Sequence, residues 1–259
     1  MRRRGQIEDA LREDTEPLTV RASIRGKVVQ VTADTPIGPT RTVRSLPVLH
    51  QLTDAVVSRA VGRTQGRGAR ISCKSGCGAC CRQLVPISET EARALADLVD
   101  DMPEPRRSMV RRRFAELCTR VEEGGLSRLI DSDTVADDEC EAVALAWFAL
   151  GVPCPFLEEE SCSIHAVRPS VCREYLVTSD AEQCARPTPE TIEHVSLDAE
   201  ISDAMDRRDA REAGRRNGWV PLGLALEWVE RNAEEPPPRP ALELVKEVLD
   251  LAVGGKRRR

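Results

Sequence analysis

The sequence predicts a mainly α fold, with helices packed around a cysteine-rich, loop-bounded metal site and at most a small N-terminal β-hairpin. Two observations carry this expectation. Stretches with apolar residues at helical spacing outnumber stretches with strand alternation. Of the ten cysteines in 259 residues, eight fall in two short segments. Separately, aromatic residues make up only 3% of the chain, which leaves little material for a base-stacking surface.

Residues 1–45 are polar, punctuated by Pro, Gly and Thr, and form an N-terminal extension. Within them, 18–32 (LTVRASIRGKVVQVT) sets β-branched residues on both sides of Arg25-Gly26, which predicts a short hairpin. From 46 to 61, Leu49, Leu52, Val56, Val57 and Ala60 recur at helical spacing. This helix opens a cysteine-cluster domain expected over 46–190. Ser88-Glu89-Thr90-Glu91 has the form of a capping box that starts a helix running to about 98. A further helix is expected over 102–121, after a Pro-rich break. The stretch 136–150 (ADDECEAVALAWFAL) predicts another, closed by Gly151 and Pro153.

Residues 191–259 form a C-terminal helical extension, with helices expected at about 197–216, 222–232 and 241–252. A Pro-rich linker near 235–240 stiffens the step into the last of these. The last helix carries Leu242, Leu244, Val245, Val248, Leu249 and Leu251, and is expected to dock on the chain's own core.

The net charge is −5, which provides no global attraction to nucleic acid or acidic membranes. No run of eighteen apolar residues occurs, so no transmembrane helix is expected. The opening MRRRGQIEDALRED lacks the apolar core of a secretory signal. A cytoplasmic location follows as the expectation. In that reducing compartment cysteines read as metal ligands or redox groups before they read as disulfides. The basic ends Arg2–Arg4 and Lys256–Arg259 read as solvated tails.

The first cysteine segment, CKSGCGACC, holds Cys73, Cys77, Cys80 and Cys81. The second, CPFLEEESCSIHAVRPSVCREY followed by LVTSDAEQC, holds Cys154, Cys162, Cys172 and Cys184. Thiols at this density oxidise one another or scavenge metal unless something holds them. Zinc, iron or an iron–sulfur cluster is the expected cofactor. Cys77-Gly-Ala-Cys80 has the two-residue gap of a metal knuckle, and its small residues leave backbone amides free to point at sulfur. Gly76 and Gly78 disfavour a regular helix, so a loop is expected through Cys77 with a helix beginning near Cys80. Cys80 and Cys81 are adjacent, and their side chains diverge. Two centres, or one centre with a spare thiol, follow.

Arg168 and Arg173 flank Pro169 and Cys172 and are candidate cofactor-binding residues, able to offset cluster charge or hold an anion. Their competing role is a helix-end salt bridge to Glu174 or to the 158–160 run. His165 is read as a surface residue rather than a ligand, and Tyr175 as packing under the cluster. Cys118 and Cys140 are expected to be small buried hydrophobes. His50 and His194 are read as structural.

Taken in order, CKSGCGACC, CPFL and CSIHAVRPSVCREY resemble the bacterial cysteine-cluster proteins of the YkgJ type, described as a zinc- or iron-chelating (CxxCxxCC) domain. The matching positions are Cys73, Cys77, Cys80, Cys81, Cys154, Pro155, Cys162, Ile164, Arg168, Pro169, Cys172 and Arg173, within about 70–185. Two departures stand out. The first gap has three residues rather than two, and His165 occupies a position where an aromatic is common.

The resemblance implies a metal-chelating domain whose partner is a metal ion, and no particular reaction. A flagellin lysine N-methylase shares a similar cysteine pattern. That keeps open an enzymatic alternative, a protein lysine N-methylase-like or redox enzyme. The chain has no Walker loop, no GxGxxG and no HExxH, so no catalytic residue is assigned. The leading expectation is a cytoplasmic cysteine-cluster protein that binds zinc or iron, with no membrane or nucleic-acid partner.

Overall fold

Two strands begin the described part of the chain. The computed structural model describes residues 15–188 and 191–254, and the basic tails at 2–4 and 256–259 lie outside these. Strands β1 (Thr15–Ile24) and β2 (Lys27–Pro36) pair antiparallel with Ile24 opposite Lys27, so the turn is Arg25-Gly26. Both turn residues have positive φ, 48° and 73°. That handedness matches the twist of the strands it joins. Alternation buries Val20, Ile24, Val29, Val31 and Ala33 on one face.

The helix α1 (Leu46–Gly66) lays Val48, Leu49, Leu52 and Val56 against that face. It runs five residues past its predicted end because Arg63 is held from outside. Arg63 donates to Asp198 at 2.8 Å and to the Ser196 carbonyl at 2.7 Å.

The remaining helices are α2 (Glu89–Asp100), α3 (Arg106–Glu123), α4 (Cys140–Ala149), α5 (Ser170–Glu174), α6 (Ile201–Ala213), α7 (Ala225–Arg231) and α8 (Ala241–Gly254). The capping box that opens α2 is present. The Glu91 amide donates to Ser88 Oγ at 3.2 Å, and the Ser88 amide donates to Glu91 Oε2 at 3.2 Å. α6 stops at 213 rather than 216 because Gly214 turns left-handed, with φ 64°. Short antiparallel pairs tie distant parts of the chain together. β3 (Pro39–Thr40) meets β8 (Arg239–Pro240), and β4 (Pro86–Ser88) meets β7 (Trp219–Pro221). β5 (Leu157–Glu158) and β6 (Ser161–Cys162) form a small hairpin inside the second cysteine segment.

Three apolar clusters hold these elements. The first joins the hairpin, α1, α6 and α8. Val245, Val248, Leu249 and Leu251 of α8 are buried in it, so the last helix docks on its own chain as expected. The second joins α2, the start of α3 and α7 to Phe156 and Ile164 of the cysteine segment. Phe114 meets Phe156 edge to face at 5.5 Å. The third packs the rest of α3 against α4 and Leu224. Cys118 is half-buried beside this cluster. Cys140 departs from expectation: it is exposed at the first turn of α4, because that helix buries only Val143 and Trp147.

Gly218, just before β7, marks the closest approach of that strand to α6. A Cβ there would lie 2.2 Å from the Asp206 carbonyl and 2.4 Å from the Ala210 amide. Gly218→Ala is expected to cost about 2–3 kcal/mol, read as a lower urea midpoint. An unchanged midpoint would refute the tight contact.

Asp206 on α6 has a buried Oδ1 with no hydrogen-bond partner. Burial, then the neighbouring Glu91 and Asp209, push its carboxyl well above the ordinary range. The stability tied to this protonated group is therefore full below about pH 4 and is lost as pH rises towards its elevated folded value. Across that window Asp206→Asn should lose less stability than the parent in parallel urea titrations.

Candidate metal centre

The first cysteine segment leaves α1 and is anchored by the Ser72 amide, which donates to the Val177 carbonyl at 3.0 Å. Gly76 takes φ 80° to turn the chain at Cys77. The run then closes in a 3₁₀ turn, Ala79–Arg82, with the Cys81 amide donating to the Gly78 carbonyl at 3.0 Å. A loop through Cys77 was expected, and so was helical backbone from Cys80. The helix is only one 3₁₀ turn long, because Gln83 is already extended.

The second segment arrives directly on this turn. The Cys154 amide donates to the Cys81 carbonyl at 2.7 Å. The β5–β6 hairpin turns at Glu159-Glu160, both at positive φ, 49° and 57°. That unfavourable turn sets Glu160 on Arg82, at 2.7 and 3.0 Å, and Arg82 also donates to the Gly78 carbonyl at 3.0 Å. Gly78 has no room for a side chain: a Cβ would lie 2.6 Å from Glu160 Oε2 and 2.7 Å from Leu157 Cδ1. Gly78, Arg82 and Glu160 thus position the cluster. Only the Gly-Ala spacing within the knuckle hinted at the first.

Cys172 stands on α5, and Cys184 on a 3₁₀ turn, Ala181–Ala185, that touches Ala79–Arg82. Cys80 is within electrostatic reach of Cys73, Cys81, Cys154, Cys162, Cys172 and Cys184, and all ten cysteines are free thiols. Cys80 lies at the meeting point. Cys73, Cys77 and Cys184 form one set within electrostatic reach of one another. Cys154, Cys162 and Cys172 form a second such set. The hydrogen bond to Cys81 and then burial push the Cys80 thiol up. Burial pushes Cys154 up to about 12 and Cys172 well above its ordinary value. Tyr175 is half-buried beside Cys80 and Cys184, edge-on to His194 at 4.9 Å, and burial pushes it up to about 12.

The two arginines have different surroundings. Arg173 is buried and fully engaged. It grips both oxygens of Asp54 on α1 at 3.0 and 2.8 Å, the Arg168 carbonyl at 2.9 Å and the Ala166 carbonyl at 2.7 Å. Asp54 takes the place of the expected acidic partners, and Glu174, Glu158 and Glu160 are committed elsewhere. Glu174 caps α6, accepting from the Ile201 amide at 2.6 Å, while Glu158 pairs with Arg113 and Glu160 with Arg82. Arg168 faces the thiols. Its charge favours the thiolates of Cys80 and Cys162, and its Nε is buried with no hydrogen-bond partner. His165 is exposed on a 3₁₀ turn.

Among the described residues, no three His, Cys, Asp or Glu side chains stand ready-made as an ion site. The donor set nevertheless fits a thiophilic metal. Buried thiols crowded together resist ionisation, and a cation reverses that cost by binding their thiolates.

Arg173→Lys keeps the charge but cannot reach all three acceptors. It should cost about 1–3 kcal/mol by urea titration and speed proteolytic cleavage between 154 and 184. Parent-like stability would show that the clamp holds nothing.

Neither curated proteins nor solved structures give a match to this chain. Among the described residues, no helix is long and apolar enough to cross a membrane. Over residues 72–191, the span that contains both cysteine segments, the chain matches the CxxCxxCC family model, whose description reads "Putative zinc- or iron-chelating domain".

Proposed function

We propose that residues 72–191 hold a resident zinc or iron centre, with thiolates drawn from both cysteine segments and Cys80 as the shared ligand. What supports this is the electrostatic nearness of Cys80 to thiols of both segments, whose backbones meet at the bond from the Cys154 amide to the Cys81 carbonyl. Cys73, Cys77, Cys80 and Cys184 would hold one lobe, and Cys80, Cys154, Cys162 and Cys172 the other, with Cys81 in reserve beside Cys80. Such a set suits two tetrahedral ions or one iron–sulfur cluster.

When bound, the metal supplies charge to stabilise the thiolates and a covalent tie between the two segments. Arg168 adds positive charge on the rim, and Arg173 holds α5 so that Cys172 faces the cluster. The role fits metal holding or electron transfer in a reducing cytoplasm.

Anaerobic purification with metal analysis and a visible spectrum tests the proposal. A colourless protein with stoichiometric zinc, or a brown one with iron, is the expected outcome. Less than one metal per chain with all ten thiols titrating freely would sink it. Cys80→Ser should remove more than about half of the bound metal, whereas Cys118→Ser should remove none. Chelation should expose 70–185 to protease as a unit, and unchanged protection would count against a metal that ties the segments.

A further inference from the structure

Between α1 and α2, with Pro169 and Arg173 in its wall, lies a cavity of about 500 Å³. That is the size of a small-ligand pocket. Leu46, Leu95, Leu98 and Val167 supply apolar wall, and Val167 is 49% exposed at the mouth.

The polar groups gather around Glu91, which is only 2% exposed. Its carboxylate accepts from the Ser170 amide at 2.7 Å and from the Ser88 amide at 3.2 Å. The two backbone amides that donate to it favour the carboxylate form. Among the described residues its one ion-pair neighbour is His50, whose Nε2 is 3.6 Å away, too far for a hydrogen bond. That Nε2 is buried and has no hydrogen-bond partner.

The other charges in the wall offset each other. Arg173 is spent on Asp54 and on backbone carbonyls. A buried carboxylate and an idle imidazole nitrogen therefore share one end of an apolar cavity, with no lysine or arginine free to neutralise the carboxylate.

We propose that this cavity binds a small primary amine with an apolar body. The ammonium group would bridge Glu91 Oε1 and His50 Nε2, and the hydrocarbon would lie along Leu46, Leu95 and Leu98. A carboxylate head would meet Glu91 and Asp54 as like charges. An alcohol could bridge the same two atoms but would bring no charge.

The test is a titration of the full-length protein with hexylammonium, 1-hexanol and hexanoate, followed through leucine and valine methyl resonances. The protein is used as purified, without chelator, because α2 and residues 166–173, which wall the cavity, lie within 70–185. Hexylammonium should shift the cavity methyls saturably and bind at least about tenfold tighter than hexanol, with hexanoate weakest. Glu91→Gln retains a residue able to complete the capping box. It should erase the preference for the amine while leaving hexanol affinity within about twofold. Leu98→Trp, at a half-buried wall position, should block all three probes with methyl shifts elsewhere unchanged. The proposal is overturned if no probe gives a saturable shift, if hexanol or hexanoate binds as tightly as hexylammonium, or if Glu91→Gln leaves the amine preference intact.

Discussion

The bond from the Cys154 amide to the Cys81 carbonyl joins two pieces of chain whose cysteines would otherwise be independent. Around it the fit is close on every side. Glu160 and Leu157 press on Gly78, and Arg82 bridges Glu160 to the Gly78 carbonyl. The positive φ of Glu159 and Glu160 is unfavourable for residues with a Cβ. The ion pair with Arg82 is one of the contacts that offset it. With this seam closed, Cys80 has thiols of both segments near it; with it open, each segment is a short, under-ligated loop.

The surroundings of the cluster are arranged by buried charges that bind backbone rather than ligand. Glu91 closes the capping box of α2 and accepts from the Ser170 amide at the start of α5. Glu174, at the end of α5, caps α6. Arg173 ties the same helix to α1 through Asp54. A five-residue helix has too few internal hydrogen bonds to persist alone. Here it is pinned at both ends and on its side, which fixes the direction of Cys172.

Much of the secondary structure was legible. The hairpin about Arg25-Gly26, the capping box at Ser88 and the docked last helix all follow from local patterns of turn residues, caps and apolar spacing. Boundaries slipped where a distant residue intervened, as at α1, whose last turn depends on Arg63 reaching Asp198. The candidate site was legible as a set of sulfurs, because soft donors in dense spacing have few other uses. The residues that position them were not. Gly78, Arg82, Glu160 and Asp54 look unremarkable in sequence, since their roles depend on partners 50 or more residues away.

The sequence alone determined the chemistry available: eight clustered thiols, too few aromatics for base stacking, and helical segments with turn and cap residues at their ends. Those are local properties, set by residue type and by spacing of a few positions. Tertiary structure decided which of these groups meet. It made Cys80 the common neighbour of two sets of thiols. It committed Arg173 to Asp54 and left Arg168 facing the sulfurs. It also left His50 idle beside a buried carboxylate. The reason is physical: electrostatic and hydrogen-bonding roles depend on distance and burial, and both are set by how distant segments pack.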